Sequence, residues 1–352
     1  MRNLKRIQNI QALRGIAVIS VLVFHLISVE RKYGGAHTIL PDFFQFGMFG
    51  VDLFFVISGF VMVLITQGRF QHPKQSLSFL CSRIIRIYPV YWFYTFLVLI
   101  VFLNKPEWVN RIQGNQVNIL YSFLLLPAET LPLVFVGWSL IHEMYFYIVF
   151  FFIILLIKER YLLLAVVVWA LTVVFFNLQV GHSGSFLKLI FHPLTLEFIC
   201  GCVIAKIYIN KKSVFNLKRF HLFAFLCLMA SVTGYMIYRY YTFEVEPLGW
   251  WRIMIFGIPS VLIVYIYTYA ERAGFIFYPI LIKIGDASYS IYLSHALTLS
   301  ALGRIWKTFA IKGISDNIIA LPLIFILTLY AGYLSYIIFE KPLMDLSKKF
   351  TR

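Results

Sequence analysis

The chain has 352 residues, of which 61% are hydrophobic and only 13% are charged. Soluble domains carry roughly 25% charged residues, so this composition excludes a soluble globular protein and indicates one that crosses a lipid bilayer several times. The formal net charge is +16, but the basic residues lie between apolar segments. Membrane topology therefore explains them better than a nucleic-acid partner does.

Apolar segments of about 20 residues, the length that a helix needs to cross a bilayer, recur along the whole chain. The predicted spans, about ten in number, lie at 10–29, 47–66, 86–103, 137–157, 161–177, 192–209, 221–238, 253–270, 286–302 and 318–338. A shorter apolar run at 119–126 predicts a re-entrant or surface helix. We therefore predict an all-α integral membrane protein with a single membrane domain over residues 1–352 and no soluble extracytoplasmic domain.

The basic residues of the loops are distributed unequally across the predicted membrane. The side that holds the N-terminus carries about twice as many lysines and arginines as the opposite side. Because cytosolic loops are enriched in basic residues, both termini are predicted to lie in the cytosol. The N-terminus imitates a secretory signal, but no small-residue cleavage site follows it, so the first span is predicted to be retained.

The first span carries two ionisable residues, Arg14 and His25, on one helical face. Their spacing is three turns plus about 20°, which places the side chains roughly 16 Å apart along the axis. A cation within a membrane helix costs roughly 2.5–3.5 kcal/mol, so both side chains are expected to face the protein interior or a water-filled cavity. The alternative is that Arg14 extends to the cytosolic interface and His25 is a packing residue.

Carboxylates are predicted in the same outer half of the membrane as His25. They are Asp52 in GVDLFFVISGF, Glu143 in GWSLIHEMYFY and Glu197 in HPLTLEFICG. A histidine beside a carboxylate in a site shielded from water is a workable general base, because the carboxylate fixes the tautomer and stabilises the imidazolium. Such a base can take the proton of a sugar hydroxyl as that oxygen attacks an acyl carbonyl.

Two further groups of polar residues are predicted on one helical face each. Arg83 and Arg86 are one turn apart at the inner end of the third span, near the predicted level of Arg14. Three arginines suit a polyanion such as the phosphates of a nucleotide cofactor, although anchoring at the cytosolic interface explains most arginine pairs. In the ninth span, Tyr292 and His295 share a polar face that can equally serve hydrogen bonding between helices.

Motifs for competing chemistries are absent from the sequence. There is no G-x-S-x-G, no HExxH and no glycine-rich phosphate loop. The cysteines lack metal-ligand spacing and are predicted to be free packing residues, so no metal is expected. Direct transfer of an acyl group to the acceptor, without an acyl-enzyme, is the simplest mechanism.

Taken together, these motifs resemble the integral-membrane acyltransferase family 3, whose members O-acylate surface polysaccharides, lipopolysaccharide, and some antibiotics and lipids. The resemblance runs along the whole chain and rests on R-x10-H at Arg14 and His25, GVDLFFVISGF, SRIIRIYP, GWSLIHEMYFY, GDASYSIYLSH and FEKPL. The GW(S/T)xxxE form looks most like the exopolysaccharide-production branch of the family.

The resemblance implies an acyl-CoA donor, usually acetyl-CoA, that enters from the cytosol. It implies that His25 is the essential histidine and Arg14 its paired arginine, that Arg83 and Arg86 take part in donor binding, and that Glu143 is the glutamate of the fourth helix. It also implies a multi-pass protein of the bacterial inner membrane.

We therefore expect an O-acyltransferase that moves an acyl group, most simply acetyl, to a hydroxyl of a cell-surface or exopolysaccharide glycan or its lipid-linked precursor. The expected site residues are His25, Arg14 and Glu143 in catalysis, Arg83, Arg86 and Arg14 in donor binding, and Asp52, Glu197, Tyr292 and His295 in acceptor binding. The expected partners are the bilayer, the glycan and a polysaccharide-synthesis complex. The alternatives are a proton-coupled transporter of an anionic or sugar-like solute and a catalytically silent member of a synthesis complex.

Overall fold

The computed structural model describes residues 6–34, 38–179, 184–210, 217–242, 244, 247–310 and 313–350. Long helices dominate this part of the chain. They are α1 (Gln8–Tyr33), α2 (Phe49–Ile65), α3 (Pro73–Asn104), α4 (Gly137–Leu156), α5 (Leu162–Gln179), α6 (Thr195–Asn210), α7 (Leu217–Thr242), α8 (Ile258–Arg272), α9 (Ser288–Phe309) and α10 (Ile314–Ser335). Each corresponds to one predicted span, and the prediction of an all-α membrane protein is confirmed.

Shorter helical segments extend or connect the long ones. They are Asp42–Met48, Pro106–Trp108, Arg111–Gln113, Ile119–Leu124, Glu159–Tyr161, Ser185–Ile190, Gly249–Arg252, Pro279–Asp286, Lys341–Phe350 and two π-helical turns at Ile253–Gly257 and Tyr336–Glu340. The short helix expected at 119–126 is present at Ile119–Leu124 and lies against α3, whose Tyr88 and Tyr91 hydroxyls donate to its backbone carbonyls.

Within the described residues, nine helical segments are long and apolar enough to cross a membrane. The helix outside this group is α9, which has 22 residues. Its polar side chains Ser290, Ser294 and His295 are at most 1% exposed. A helix that is surrounded by other helices can carry such groups, because its polar face meets protein and not lipid.

Helix α3 begins earlier than the sequence predicted. Apolar character starts near residue 86, but the helix starts at Pro73, where proline occupies the first turn and its missing N–H costs nothing. The additional turns place Arg83 and Arg86 well inside a continuous helix and not at its frayed end.

Helices α1 and α9 begin on the same side of the bundle and run parallel. Arg6, before α1, forms an ion pair with Asp286, which precedes α9. Gly15 of α1 and Gly285 of the short helix Pro279–Asp286, just before α9, meet so closely that a methyl group on either would overlap a backbone carbonyl oxygen of the opposite helix. The two glycines thus fix the register of two parallel segments, and ten residues beyond them lie His25 and His295.

The orientation of this bundle relative to the cytosol stays a prediction. Some of the basic residues on which it depends, Arg2, Lys5, Lys211 and Lys212 among them, lie outside the described residues.

Candidate functional site

A cavity of about 80 Å³ lies between α1, α2, α3, α4 and α9. One water molecule needs roughly 10–15 Å³ of such space, so the cavity accommodates several. Its polar lining consists of Arg14, Ser58, Arg86, Ser139, Glu143, Tyr147, Tyr289 and Tyr292. The structure therefore brings together four of the predicted site residues, which come from four different helices: Arg14, Arg86, Glu143 and Tyr292. Glu143 was expected beside His25 and lies with the arginines instead.

Glu143 is held at the cavity wall by hydroxyl groups. The Ser58 hydroxyl donates to its Oε1 over 3.1 Å, and the Tyr147 hydroxyl, one turn further along α4, donates to the same oxygen. Neither Ser58 nor Tyr147 was predicted as a site residue. The spacing of Glu143 and Tyr147, four residues apart on one helix, was the available signal.

The three predicted arginines cluster beside this glutamate. Arg14 and Arg83 both lie near Arg86, and Arg83 contacts Tyr147. Within the described chain, the ion pairs closer than 4.0 Å involve other basic residues. The cluster is partly exposed, so it combines positive charge with access and can bind an anion.

A buried carboxylate that the sequence analysis did not assign to the site also faces these arginines. Glu340, in the π-helical turn after α10, is 1% exposed and acts electrostatically on Arg14 and Arg86. Its Oε2 accepts from the backbone N–H and hydroxyl of Ser290 at 3.2 and 2.6 Å. Its Oε1 has no hydrogen-bond partner among the described residues. The FEKPL motif contained it, and π-turns occur frequently at functional sites.

Tyr292 separates the cavity from the histidines beyond it. Its hydroxyl hydrogen-bonds with Ser139 at 2.8 Å and donates to the Val136 carbonyl at 3.2 Å. Its ring lies 5.6 Å from the ring of His295. The predicted polar face of α9 thus borders the cavity with Tyr292 and reaches the neighbourhood of His25 with His295.

His25 and His295 form a pair of imidazoles. Their ring centroids are 5.0 Å apart, and the edges of Phe24 and Phe135 pack on His25. His25 is partly exposed, whereas His295 is 1% exposed. The expected carboxylate partner of His25 is not found in the described part of the chain: an imidazole occupies that place. The sequence misled us because it gave depth along each helix but not direction around the bundle.

Both of the expected acceptor-binding carboxylates lie elsewhere, in a closed cluster. Asp52 is 0% exposed and receives two hydrogen bonds of 2.8 Å from Arg252. Glu197 lies against Asp52 and is 1% exposed. Arg252 lies one residue outside the predicted span 253–270, so this ion pair was not predicted. The structure does not bring Asp52 or Glu197 to the cavity wall.

A second histidine pair lies beside the closed cluster. His142 and His192 have ring centroids 4.7 Å apart, and His142 lies against Trp138. The Trp138 ring in turn receives the Arg252 guanidinium at 5.4 Å. His142 precedes Glu143 in the chain but faces away from the cavity that Glu143 lines.

These features define a class: an α-helical integral membrane protein whose interior cavity is lined by arginines, a glutamate and tyrosines. The family model described as "Acyltransferase domain" matches residues 7–337, and the chain belongs to that family. The exopolysaccharide production protein ExoZ of Rhizobium meliloti (strain 1021) is 29% identical over 333 residues, which cover 86% of this chain and 90% of that protein. No solved structure matches the chain.

The family resemblance predicted from the motifs is therefore confirmed. The chain is a multi-pass membrane acyltransferase, and hence an enzyme. The transporter and silent-partner alternatives receive no support from this match.

Proposed function

We propose that the protein transfers an acyl group, most simply acetyl, from acyl-CoA to a hydroxyl of an exopolysaccharide glycan or its lipid-linked precursor at the bacterial inner membrane. The main support is the cavity, where arginines without close ion pairs lie next to Glu143. Tyr292 lines the same cavity, and its ring contacts His295 of the histidine pair. The printed name of the relative, an exopolysaccharide production protein, supports the acceptor class.

The arginines account for donor binding in this proposal. Coenzyme A carries several phosphate charges, and guanidinium groups bind phosphate oxygens in pairs. Arg14, Arg83 and Arg86 lie at one level of the bundle, and the axial separation of roughly 16 Å between Arg14 and His25 is a distance that an extended thioester arm can span. The arginines therefore hold the phosphates while the acyl group reaches the level of the histidines.

His25 is the general base in this proposal. Its imidazole takes the proton of the acceptor hydroxyl as the hydroxyl oxygen forms a bond to the thioester carbonyl carbon. The carbon–sulfur bond then breaks, and the imidazolium returns the proton to the leaving thiolate, so that the products are an ester and a free thiol. No atom of the protein is acylated in this sequence.

Glu143 has an orienting role in the proposed reaction. Its carboxylate is fixed by Ser58 and Tyr147 and faces Arg14. It can hold the guanidinium in the direction of the donor without neutralising the other arginines. Tyr292 borders the cavity and is the expected acceptor-binding residue with direct access to it. Asp52 and Glu197, buried against Arg252, serve the acceptor indirectly by fixing the helices around it.

The first test uses the reconstituted protein with labelled acetyl-CoA and a pool of lipid-linked and polymeric glycans. Wild type is expected to place label in a base-labile ester on glycan. His25→Ala should reduce this transfer by about 100- to 10,000-fold, the usual contribution of a general base. His221→Ala is the matched control, because His221 packs against Phe275, away from the site. Wild type that neither transfers label nor binds acetyl-CoA would contradict the proposal.

A second test separates donor binding from catalysis. Arg83→Ala combined with Arg86→Ala should raise the donor concentration needed for half-maximal rate, whereas His25→Ala should leave donor binding intact. Arg304→Ala is the control for removing an arginine, since Arg304 stacks on Trp108 and lies outside the cavity. Unchanged donor dependence in the double variant would remove Arg83 and Arg86 from the donor site.

A further inference from the structure

One ring nitrogen of His295 has a hydrogen-bond partner and the other has none among the described residues. Its Nδ1 lies 2.5 Å from the backbone carbonyl oxygen of Tyr292. A carbonyl only accepts, so Nδ1 carries the hydrogen and Nε2 of the neutral ring presents a lone pair. This Nε2 is buried and has no hydrogen-bond partner in the described part of the chain. Because buried acceptors nearly always receive a hydrogen bond, we expect Nε2 of His295 to receive one as well.

Of the two rings that contact the His295 ring, that of His25 is the nearer. The two rings are 5.0 Å apart between centroids with 36° between their planes, whereas Phe24 and Phe135 offer His25 only apolar edges. A centroid separation of 5.0 Å is short enough for a rotated imidazole to bring a ring nitrogen within hydrogen-bond distance of its neighbour. The pairing proposed below requires such a turn of the His25 ring, which directs an N–H at Nε2 of His295.

Three carboxylates on α1 or on helices packed against it are engaged elsewhere. Asp52 is paired with Arg252, and Glu30 accepts from Asn317 and from two backbone amides. Glu271 accepts from the first backbone amides of α1. Among the described residues, His295 is the ionisable group that contacts His25, with Tyr292 next beyond it.

We propose that His295 is a positioning residue for His25. One ring nitrogen of His25 donates to Nε2 of His295, which leaves the other nitrogen free to take the proton of the acceptor hydroxyl. The bond strengthens as His25 becomes imidazolium, so that His295 does for His25 what a carboxylate does in a serine-hydrolase triad. At 1% exposure, His295 acts through His25 and not by contact with the acceptor. This inference rests on the proposed function.

The test compares two substitutions at position 295 in the reconstituted enzyme. His295→Phe fills the space without an acceptor, whereas His295→Gln keeps an acceptor oxygen near the position of Nε2. His295→Phe is expected to lower kcat by about 10- to 100-fold with the donor KM changed less than twofold. Because the imidazolium is then less stabilised, the acid limb of the pH–rate profile moves to lower pH. His295→Gln is expected to restore most of kcat and to return the limb toward its original position.

The matched control is His142→Phe. His142 also pairs with a second imidazole and has an Nδ1 without a partner among the described residues, but it lies off the cavity. This variant should leave the acid limb where it is in the wild type. A limb that stays in place in His295→Phe, or equal losses of kcat in the Phe and Gln variants, would assign His295 a purely structural role. A raised acceptor KM with normal kcat would make it an acceptor-binding residue.

A measurement independent of turnover distinguishes failure of this inference from failure of the proposed function. Nitrogen-15 spectra of labelled histidines report the tautomer of His25 directly, with His25→Ala used to assign its signals. A single tautomer that becomes mixed in His295→Phe supports the pairing even if no acceptor has been found. Signals that do not change on this substitution overturn it, whatever the activity.

Discussion

Two charged clusters lie inside the same helical bundle. One pairs its arginine with a carboxylate, whereas the other leaves its arginines without a close ion pair. In the closed cluster, Arg252 meets Asp52 in a two-pronged ion pair whose side chains are 6% and 0% exposed. In the cavity, Arg14 and Arg86 are partly exposed, and Glu143 is held by hydroxyl groups. A charge that is cancelled locally has little capacity left for a ligand. A cation kept without a close counter-ion in a membrane interior is costly, so the arginines of the cavity are the ones we propose to bind the donor.

Breaking the closed cluster should give the largest effect on stability. Arg252→Leu leaves the Asp52 carboxylate buried with Glu197 as its neighbour, and loss of one partner of a buried ion pair costs about 3–5 kcal/mol of unfolding free energy. Unfolding of the detergent-solubilised protein measures this loss. The double variant Asp52→Leu with Arg252→Leu should recover a substantial part of it. A single variant as stable as wild type would show that this cluster does not hold the fold together.

Substitutions in the cavity should lower the rate of the reaction without lowering the stability of the protein. Glu143→Gln keeps an oxygen that accepts from Ser58 and Tyr147 but loses the charge that faces Arg14, so kcat should fall by about 10- to 100-fold, or roughly 1.4–2.7 kcal/mol in the barrier. Its unfolding free energy should stay within about 1 kcal/mol of wild type. Steady-state kinetics beside an unfolding curve test both halves. A large loss of stability would place Glu143 with the closed cluster instead.

Substitution of Glu340 should have a smaller effect than that of Glu143, and it should improve donor binding. Glu340→Gln preserves an acceptor for Ser290 and removes a negative charge that faces Arg14 and Arg86. An anionic donor should then bind more tightly, with its KM lowered by about two- to fivefold, the size expected for one partly screened charge pair. The gain should shrink as salt is added. A raised KM would mean that Glu340 orients the arginines, and that this orientation outweighs its charge.

The smallest effect on stability is expected for the solvent-exposed ion pair between Glu129 and Lys188. Glu129 accepts from Ser185 and Lys188 at 2.8 and 3.2 Å, and these hydrogen bonds hold the pKa of Glu129 below its usual value. Stability from a lowered carboxylate pKa is present at neutral pH and disappears as the pH falls through that pKa. Because both side chains are largely exposed, at 54% and 65%, Lys188→Ala should leave the unfolding curve at neutral pH unchanged. A measurable shift would show that surface pairs matter more here than solvent screening allows.

The long helices could be predicted from the sequence because lipid imposes a strong and local requirement. Roughly 20 apolar residues in a row suffice to identify a span, and the predicted spans all correspond to helices. Where protein surrounds a helix, the requirement weakens. Helix α9 carries buried serines and His295, so its apolar signal is weaker than that of the other long helices, although it was predicted as the span 286–302.

The site was less predictable because it depends on which helices are neighbours. Arg14 and Arg86 come together as expected, but Glu143, which was expected in the outer half beside His25, lies with these arginines instead. Hydropathy does not report that Arg252 turns inward to Asp52, because an arginine at a span boundary is usually a topology signal. The pairing of His25 with His295 likewise requires the register of α1 against the helix before α9, which is a property of the assembled bundle.

That register has a consequence for how the enzyme can fail. The contact between Gly15 and Gly285 sets how far one helical segment is shifted along the other, and the two histidines follow ten residues further along each segment. A methyl group added at either glycine leaves both histidines chemically intact but displaces one imidazole relative to the other. A survey of inactivating substitutions should therefore find these glycines as intolerant of change as the imidazoles themselves, although neither glycine has any chemistry of its own.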